Sequence, residues 1–178
     1  MKEKARDCFV NALKDEEKGK KHKGLLILQP DNKLAEEYIK KAKINLQLCD
    51  LYKDRGFEYK IPEEWFYTLY YCALSILSKF GVESRSQRCT ADFLRYAKDN
   101  GLIDYDDEFI DRIMVYSSKN KKSDVDEREA ARYGSETTSG EIESKYEYMN
   151  NVCKTAICRA EEIVFSNKEF KVPKELYE

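Results

Sequence analysis

The segment between Ile61 and Gly81 constrains the fold more than any other part of the chain. Pro62 in its first turn, followed by two glutamates, favours a helix start, and its closing glycine favours a left-handed helix stop. Apolar side chains cover most of the circumference of such a helix: Trp65, Phe66, Leu69, Tyr70, Cys72, Ala73, Ile76, Leu77 and Phe80. A helix that is apolar all round is buried. We therefore expect this helix to be the centre of the protein, surrounded by other helices.

Helical periodicity extends over the rest of the chain and predicts an all-α fold. Besides the central helix, the pattern predicts helices at residues 4–13, 31–52, 86–98 and 106–116, another carrying Arg128, and a long last helix after Thr138. The expected architecture is an antiparallel up-and-down bundle of four to five main helices with short accessory helices. Residues 1–30 would form an N-terminal helix and basic connector packed on the bundle, 31–166 the bundle itself, and 167–178 a C-terminal tail.

The last helix has the most regular apolar stripe. Its members follow one another at intervals of four and three: Ile142, Tyr146, Met149, Cys153, Ala156, Ala160 and Ile163. Such a seam packs against another helix, so it either closes the bundle or joins two subunits. A long seam left open in one bundle exposes more apolar surface than soluble monomers usually tolerate, which favours a homodimer.

Two short N-terminal segments are interpreted as non-helical. Residues 25–28 are the only strand-like run, and without a second run to pair with we interpret them as an extended, packed connector. The lysine-rich residues 18–24 before them are typical of an exposed loop. His22, the only histidine of the chain, lies in that loop. We expect the ring to have no orienting partner and therefore no catalytic role.

Composition narrows the protein class. The chain has 178 residues, of which 42% are apolar, enough for one packed domain. No apolar run approaches the roughly 18 residues of a membrane span, and the first twenty residues are highly charged. We therefore expect a cytoplasmic protein that does not bind membranes. Six widely spaced cysteines without a CxxC pair, and a single histidine, indicate no metal site and no cofactor. They predict thiols in a reducing compartment, with a regulatory disulfide as the alternative.

Few side chains indicate a catalytic or ligand-binding function. Nucleotide, metal-protease and nucleophile motifs are absent. What remains is a tyrosine cluster on the central helix, Tyr67, Tyr70 and Tyr71, together with Arg128 and Arg132. The two arginines lie one helical turn apart, so their guanidinium groups can clamp a phosphate. The alternative is that they form ion pairs with acids such as Glu129 or Glu136.

The order of segments in the chain resembles the HEPN family (higher eukaryote and prokaryote nucleotide-binding), in its archaeal or bacterial form. The resemblance spans residues 34–164 and is strongest in the central EEWFYTLYYCALSILSKFG segment. Around it lie, in order, KKAKINL, SQRCTADFL, DEREAARY and AICRAEEIV. The resemblance implies an antiparallel bundle of four or five helices, commonly dimeric.

The same resemblance implies two kinds of function. Many family members are metal-independent ribonucleases with an arginine followed four to six residues later by histidine. Here Arg128 matches the arginine, but Tyr133 stands where that histidine would be. A phenol with an ordinary pKa of about 10 is a poor proton carrier at neutral pH. Another branch of the family has arginine and tyrosine in this segment and pairs with a minimal nucleotidyltransferase that modifies the tyrosine.

Three hypotheses follow. The first is a HEPN-like module of toxin–antitoxin type, associated with RNA or a nucleotide through Arg128, Arg132 and Tyr71, that is not a competent ribonuclease and hence not an enzyme by itself. The second is a metal-independent ribonuclease with an atypical catalytic pair, Arg128 and Tyr133. The third is a non-catalytic scaffold whose last helix binds a partner protein.

Overall fold

A computed structural model describes residues 2–114, 128–129 and 139–178 of the chain. It confirms the all-α fold class: the described residues form a helical bundle with one small two-stranded sheet. Arg132 and Tyr133 lie outside the described residues. So do the predicted start of the helix that carries Arg128 and the segment before the last helix.

Six helices make up the described part of the bundle. They are α1 (Lys2–Glu17), α2 (Asn32–Asp54), α3 (Ile61–Phe80), α4 (Gln87–Asp99), α5 (Asp107–Ile113) and α6 (Ser139–Val164). The predicted helices match these in order, but α1 is longer at both ends. The fifth helix ends before the predicted Tyr116, because the backbone of Met114 is already extended (φ −70°, ψ 134°). None of the described helices is both long and apolar enough to cross a membrane.

The central helix lies where the sequence predicts it. α3 has Pro62 in its first turn and ends at Gly81 in the left-handed conformation (φ 70°, ψ 40°). It contacts α2, α4, α5 and α6. Its large side chains Trp65, Phe66 and Leu69 are at most 2% exposed. The segment that the sequence marks as apolar all round is therefore the centre of the core.

A short antiparallel sheet corrects the interpretation of residues 25–28 as an unpaired connector. β1 (Leu25–Ile27) pairs with β2 (Val82–Ser84), with Leu25 opposite Ser84 and Ile27 opposite Val82. β2 directly follows the left-handed turn at Gly81. It has three residues and only one apolar side chain, so it carries no strand pattern in the sequence. The sheet joins the end of α3 to the segment that leads into α2.

His22 is also placed differently from the prediction. The residue is 1% exposed, whereas the lysines before it are exposed. Its Nε2 lies 3.4 Å from Oε1 of Glu83 in β2, and the backbone N–H of Gly24 donates to Nδ1 at 3.4 Å. The expectation that this ring lacks an orienting partner is wrong, because β1–β2 pairing brings Glu83 to it.

The α6 seam packs inside the bundle. All seven residues of the stripe are buried within this one chain. Of the two roles open to the seam, it closes the bundle. The segment after α6 packs on the same core, since Phe170, Val172 and Leu176 are buried. Glu175 in this segment forms an ion pair with Lys2 of α1, with 2.6 Å between Oε2 and Nζ.

One disulfide corrects the expectation of six thiols. Cys8 of α1 and Cys89 of α4 are joined, with their Cα atoms 5.7 Å apart and 81 positions between them along the sequence numbering. The packing of α1 on α4 brings the two cysteines together, which their spacing in the sequence does not reveal. The other four cysteines keep their thiols: Cys49, Cys72 and Cys153 are buried and Cys158 is exposed.

Candidate functional site

Four half-buried tyrosines lie side by side where α2 packs against α3. They are Tyr38 of α2 and Tyr67, Tyr70 and Tyr71 of α3, here called the tyrosine face. Tyr67 and Tyr71 are one helical turn apart, and their ring centroids are separated by 6.0 Å. Tyr71 stacks on Tyr38 at a centroid distance of 5.9 Å and an interplanar angle of 20°. Three of the rings therefore form a continuous aromatic row across both helices.

Arg128 lies at the Tyr67 end of this row. Its guanidinium carbon is 4.4 Å from the ring centroid of Phe66 and 5.8 Å from that of Tyr67, within the range of a cation–π interaction. Its Nη2 is 3.7 Å from a carboxylate oxygen of Glu129, and its side chain is 12% exposed. The ion pair that the sequence offered as the alternative is thus present, and the aromatic rings hold the guanidinium in place.

Lys41 supplies a second positive charge at the other end of the row. Its Nζ is 5.3 Å from the ring centroid of Tyr38 and 5.7 Å from that of Tyr71. Lys41 and Tyr38 were not among the residues predicted from the sequence. They lie three residues apart on α2, which places them on one side of the helix. Only the register of α2 against α3 shows that this side meets Tyr71.

Two tyrosines of the face, Tyr38 and Tyr70, have a pKa above the ordinary value of a phenol. Burial raises the pKa of Tyr38, and the neighbouring Tyr71 and Glu83 raise it further. Burial also raises the pKa of Tyr70, although a hydrogen bond with Thr90 partly offsets the effect. Both groups therefore move away from the range in which a phenol exchanges protons at neutral pH. The arrangement can stack a planar ring and contact an anion, but Tyr38 and Tyr70 do not provide a general base.

The structure brings together two of the four predicted site residues. Arg128 and Tyr71 belong to one surface, connected through Tyr67, which contacts both. Arg132 and Tyr133 fall outside the described residues, so the double-arginine clamp and the proton-carrying role of Tyr133 stay predictions.

A separate polar cluster ties α2 and α3 to α6. The indole N–H of Trp65 donates to Oδ1 of Asn150 at 2.8 Å. The hydroxyl of Tyr146 donates to Oδ1 of Asp50 at 2.5 Å. Burial and then Asp50 raise the pKa of Tyr146 to about 12. Both aromatic residues occupy apolar positions in the sequence pattern, which gave no sign of these hydrogen bonds. Their contacts fix helices to one another, so we assign this cluster to the fold.

Within the described ranges, no three His, Cys, Asp or Glu side chains lie close enough to hold a metal ion. No family model matches the chain, and no curated protein or solved structure matches it either. The functional argument therefore starts from the tyrosine face and the two cations at its ends.

Proposed function

We propose that the protein is a HEPN-like helical module of toxin–antitoxin type that binds RNA or a nucleotide at the tyrosine face without cleaving RNA by itself. The observation that supports the proposal is the continuous row of Tyr67, Tyr71 and Tyr38, with Arg128 at one end and Lys41 at the other. Aromatic rings interleaved with cations are the recurring means by which proteins bind single-stranded nucleic acid.

The row has the two elements that such binding needs. Exposed parts of the tyrosine rings offer stacking surfaces for bases, and stacking contributes about 1–3 kcal/mol per base. Lys41 and Arg128 supply positive charge for the phosphates at either side. The chain as a whole has a formal net charge of −2, so binding depends on this local placement rather than on bulk attraction.

The missing histidine supports a binding role over cleavage. Attack by a ribose 2′-hydroxyl needs a proton carrier that works near neutral pH. Burial raises the pKa of two phenols of the face, Tyr38 and Tyr70, and so moves them away from that range. In this proposal Tyr133 is not a proton carrier either, since its ordinary pKa is about 10.

Binding is tested with a fluorescently labelled single-stranded RNA oligonucleotide in buffer containing a chelator, at low salt. We expect Tyr71→Ala to weaken binding about fivefold or more, and Tyr71→Phe, which keeps the ring, to weaken it far less. Lys41→Ala is compared with Lys40→Ala, a change of the same charge at an exposed neighbour on α2. Only the change at Lys41 should reduce affinity.

Cleavage is followed in the same samples on a gel, with Arg128→Ala and Tyr133→Phe alongside the unchanged protein. Intact RNA whose binding weakens on Arg128→Ala supports the proposal. RNA cleavage by the unchanged protein that both substitutions abolish would instead establish the ribonuclease with an Arg128 and Tyr133 site. With neither cleavage nor binding the scaffold hypothesis stands, and Arg128→Ala then changes only stability, by about 0–1 kcal/mol.

The homodimer and the minimal nucleotidyltransferase partner are part of the proposal through the family resemblance. Since the α6 seam is used inside the bundle, a dimer interface has to form elsewhere. Ile44 and Leu51 lie two turns apart on α2 and are 53% and 48% exposed, which makes that side of α2 a reasonable place for it. Light scattering at tens of micromolar protein should give twice the monomer mass. The Ile44→Glu variant should give the mass of a single monomer. A nucleotidyltransferase partner should add a nucleotide mass that Tyr133→Phe abolishes.

A further inference from the structure

The disulfide between α1 and α4 lies at a cavity of its own, away from the tyrosine face. Cys8 and Cys89 are at most 4% exposed, but both line a surface cavity of about 270 Å³. Charged side chains from three elements line the same cavity: Lys4 and Asp7 of α1, Lys23 of the connector, and Arg88 and Asp92 of α4. A small thiol can therefore approach a disulfide that is otherwise covered by the protein.

The two sulfur atoms differ in how well they carry a negative charge. Cys89 is the third residue of the 13-residue helix α4, and its backbone N–H donates to Oγ of the N-cap Ser86 at 3.3 Å. The positive end of a helix and nearby cations stabilise a thiolate. Arg88 and Lys4 supply such cations at the cavity. Cys89 is thus the better leaving group, and Cys8 is the sulfur that an incoming thiolate attacks.

A buried carboxyl group, that of Asp92, lines the same cavity as the two cysteines. Asp92 is 5% exposed and lies three residues after Cys89, on the same side of α4. Burial raises its pKa, while Lys4 and Arg88 act in the opposite direction. A buried carboxyl group is able to take up and release a proton closer to neutral pH than an exposed one.

From this cluster we infer that Cys8–Cys89 is a thiol–disulfide exchange site that accepts two electrons from a dithiol, with Asp92 as the group that transfers the proton. A thiolate of the dithiol attacks Sγ of Cys8, the Cys8–Cys89 bond breaks, and its electron pair leaves on Sγ of Cys89. The second thiol of the dithiol gives its proton to Asp92. It then attacks the other sulfur of the same dithiol, which is bonded to Sγ of Cys8. Cys8 leaves with the proton from Asp92. The products are an oxidised dithiol, a Cys8 thiol and a Cys89 thiolate.

Dithiothreitol serves as the probe, applied to the native full chain without denaturant. After acid quenching, unfolding and alkylation, mass spectrometry counts four thiols in the oxidised chain and six in the reduced one. We expect complete reduction, with Asp92→Asn lowering its rate about tenfold or more. Asp7→Asn is the matched control, because it removes a negative charge from the same cavity without changing Asp92, and its rate should stay close to that of the unchanged protein.

A second measurement does not depend on Asp92→Asn folding well. In the reduced protein, the alkylation rate of each thiol is measured as a function of pH. Cys89 should ionise at a lower pH than Cys8, and Arg88→Gln should move the ionisation of Cys89 to higher pH. Reduction that requires denaturant would overturn the inference. So would equal reduction rates for Asp92→Asn and Asp7→Asn, or a Cys8 thiol that ionises before Cys89.

Discussion

Gly81→Ala tests the junction between α3, the sheet and the entry to α2. Gly81 has φ 70°, and a Cβ atom there would lie 2.6 Å from the carbonyl oxygen of Leu28 and 2.8 Å from the nitrogen of Pro30. The left-handed conformation costs a non-glycine residue about 1–2 kcal/mol. Because the contacts are with backbone, residues 28–30 after β1 must move. We take the free-energy cost of this movement as about 1–3 kcal/mol, by analogy with overpacked cores. The expected loss of stability is therefore about 2–5 kcal/mol.

Gly56→Ala is the matched control. Gly56 has φ 74° at the end of α2, and a Cβ atom there would have no atom within 4 Å. It should cost only the conformational part, about 1–2 kcal/mol. Urea unfolding followed by circular dichroism at 25 °C measures both variants. Equal losses for the two substitutions would refute the close approach of Gly81 to residues 28–30, and with it our account of why a glycine stands there.

Three further predictions concern the core. Ala73→Asp places an unpaired carboxylate at a position that is 0% exposed, so the variant should fail to fold; a soluble variant with unchanged melting temperature would contradict our placement of the core. Asn150→Ala removes the acceptor of the Trp65 indole N–H and should cost about 1–3 kcal/mol in urea unfolding, whereas Asn151→Ala, at the exposed neighbour, should cost little. Burial raises the pKa of Glu64, so its proton stabilises the folded state at acidic pH and this contribution is lost as the pH rises through the folded pKa. Glu64→Gln should therefore be more stable than the unchanged protein at pH 7 and show no such advantage near pH 4; an advantage independent of pH would exclude this cause.

The parts of the fold that follow from local chemistry were predictable from the sequence. Pro62 and Gly81 mark the ends of α3, and the apolar side chains between them indicate that it is central. The stripe of α6 likewise predicts a packed seam. These signals are local because helix capping and helical periodicity act over a few residues.

The parts that depend on contacts between distant segments were not predictable. β2 has a single apolar residue, so the strand that pairs with β1 carries no pattern of its own. The Cys8–Cys89 pair joins residues 81 positions apart, and cysteine spacing does not determine pairing. In the candidate site, Tyr71 was predicted from its cluster, whereas Tyr38 and Lys41 depend on the register between α2 and α3. That register is set by the packing of whole helices.

The position of Trp65 allows its fluorescence to report on the packing of α6 against α3. The chain has a single tryptophan, it is 2% exposed, and its indole N–H is bonded to Asn150 of α6. Intrinsic fluorescence excited at the indole therefore monitors one interface, between α3 and α6, while circular dichroism monitors all helices together. Superimposable unfolding curves from the two signals would show that α6 leaves the bundle only when the bundle unfolds. An earlier fluorescence transition would show that the last helix detaches first, and that the core of the protein opens along that seam.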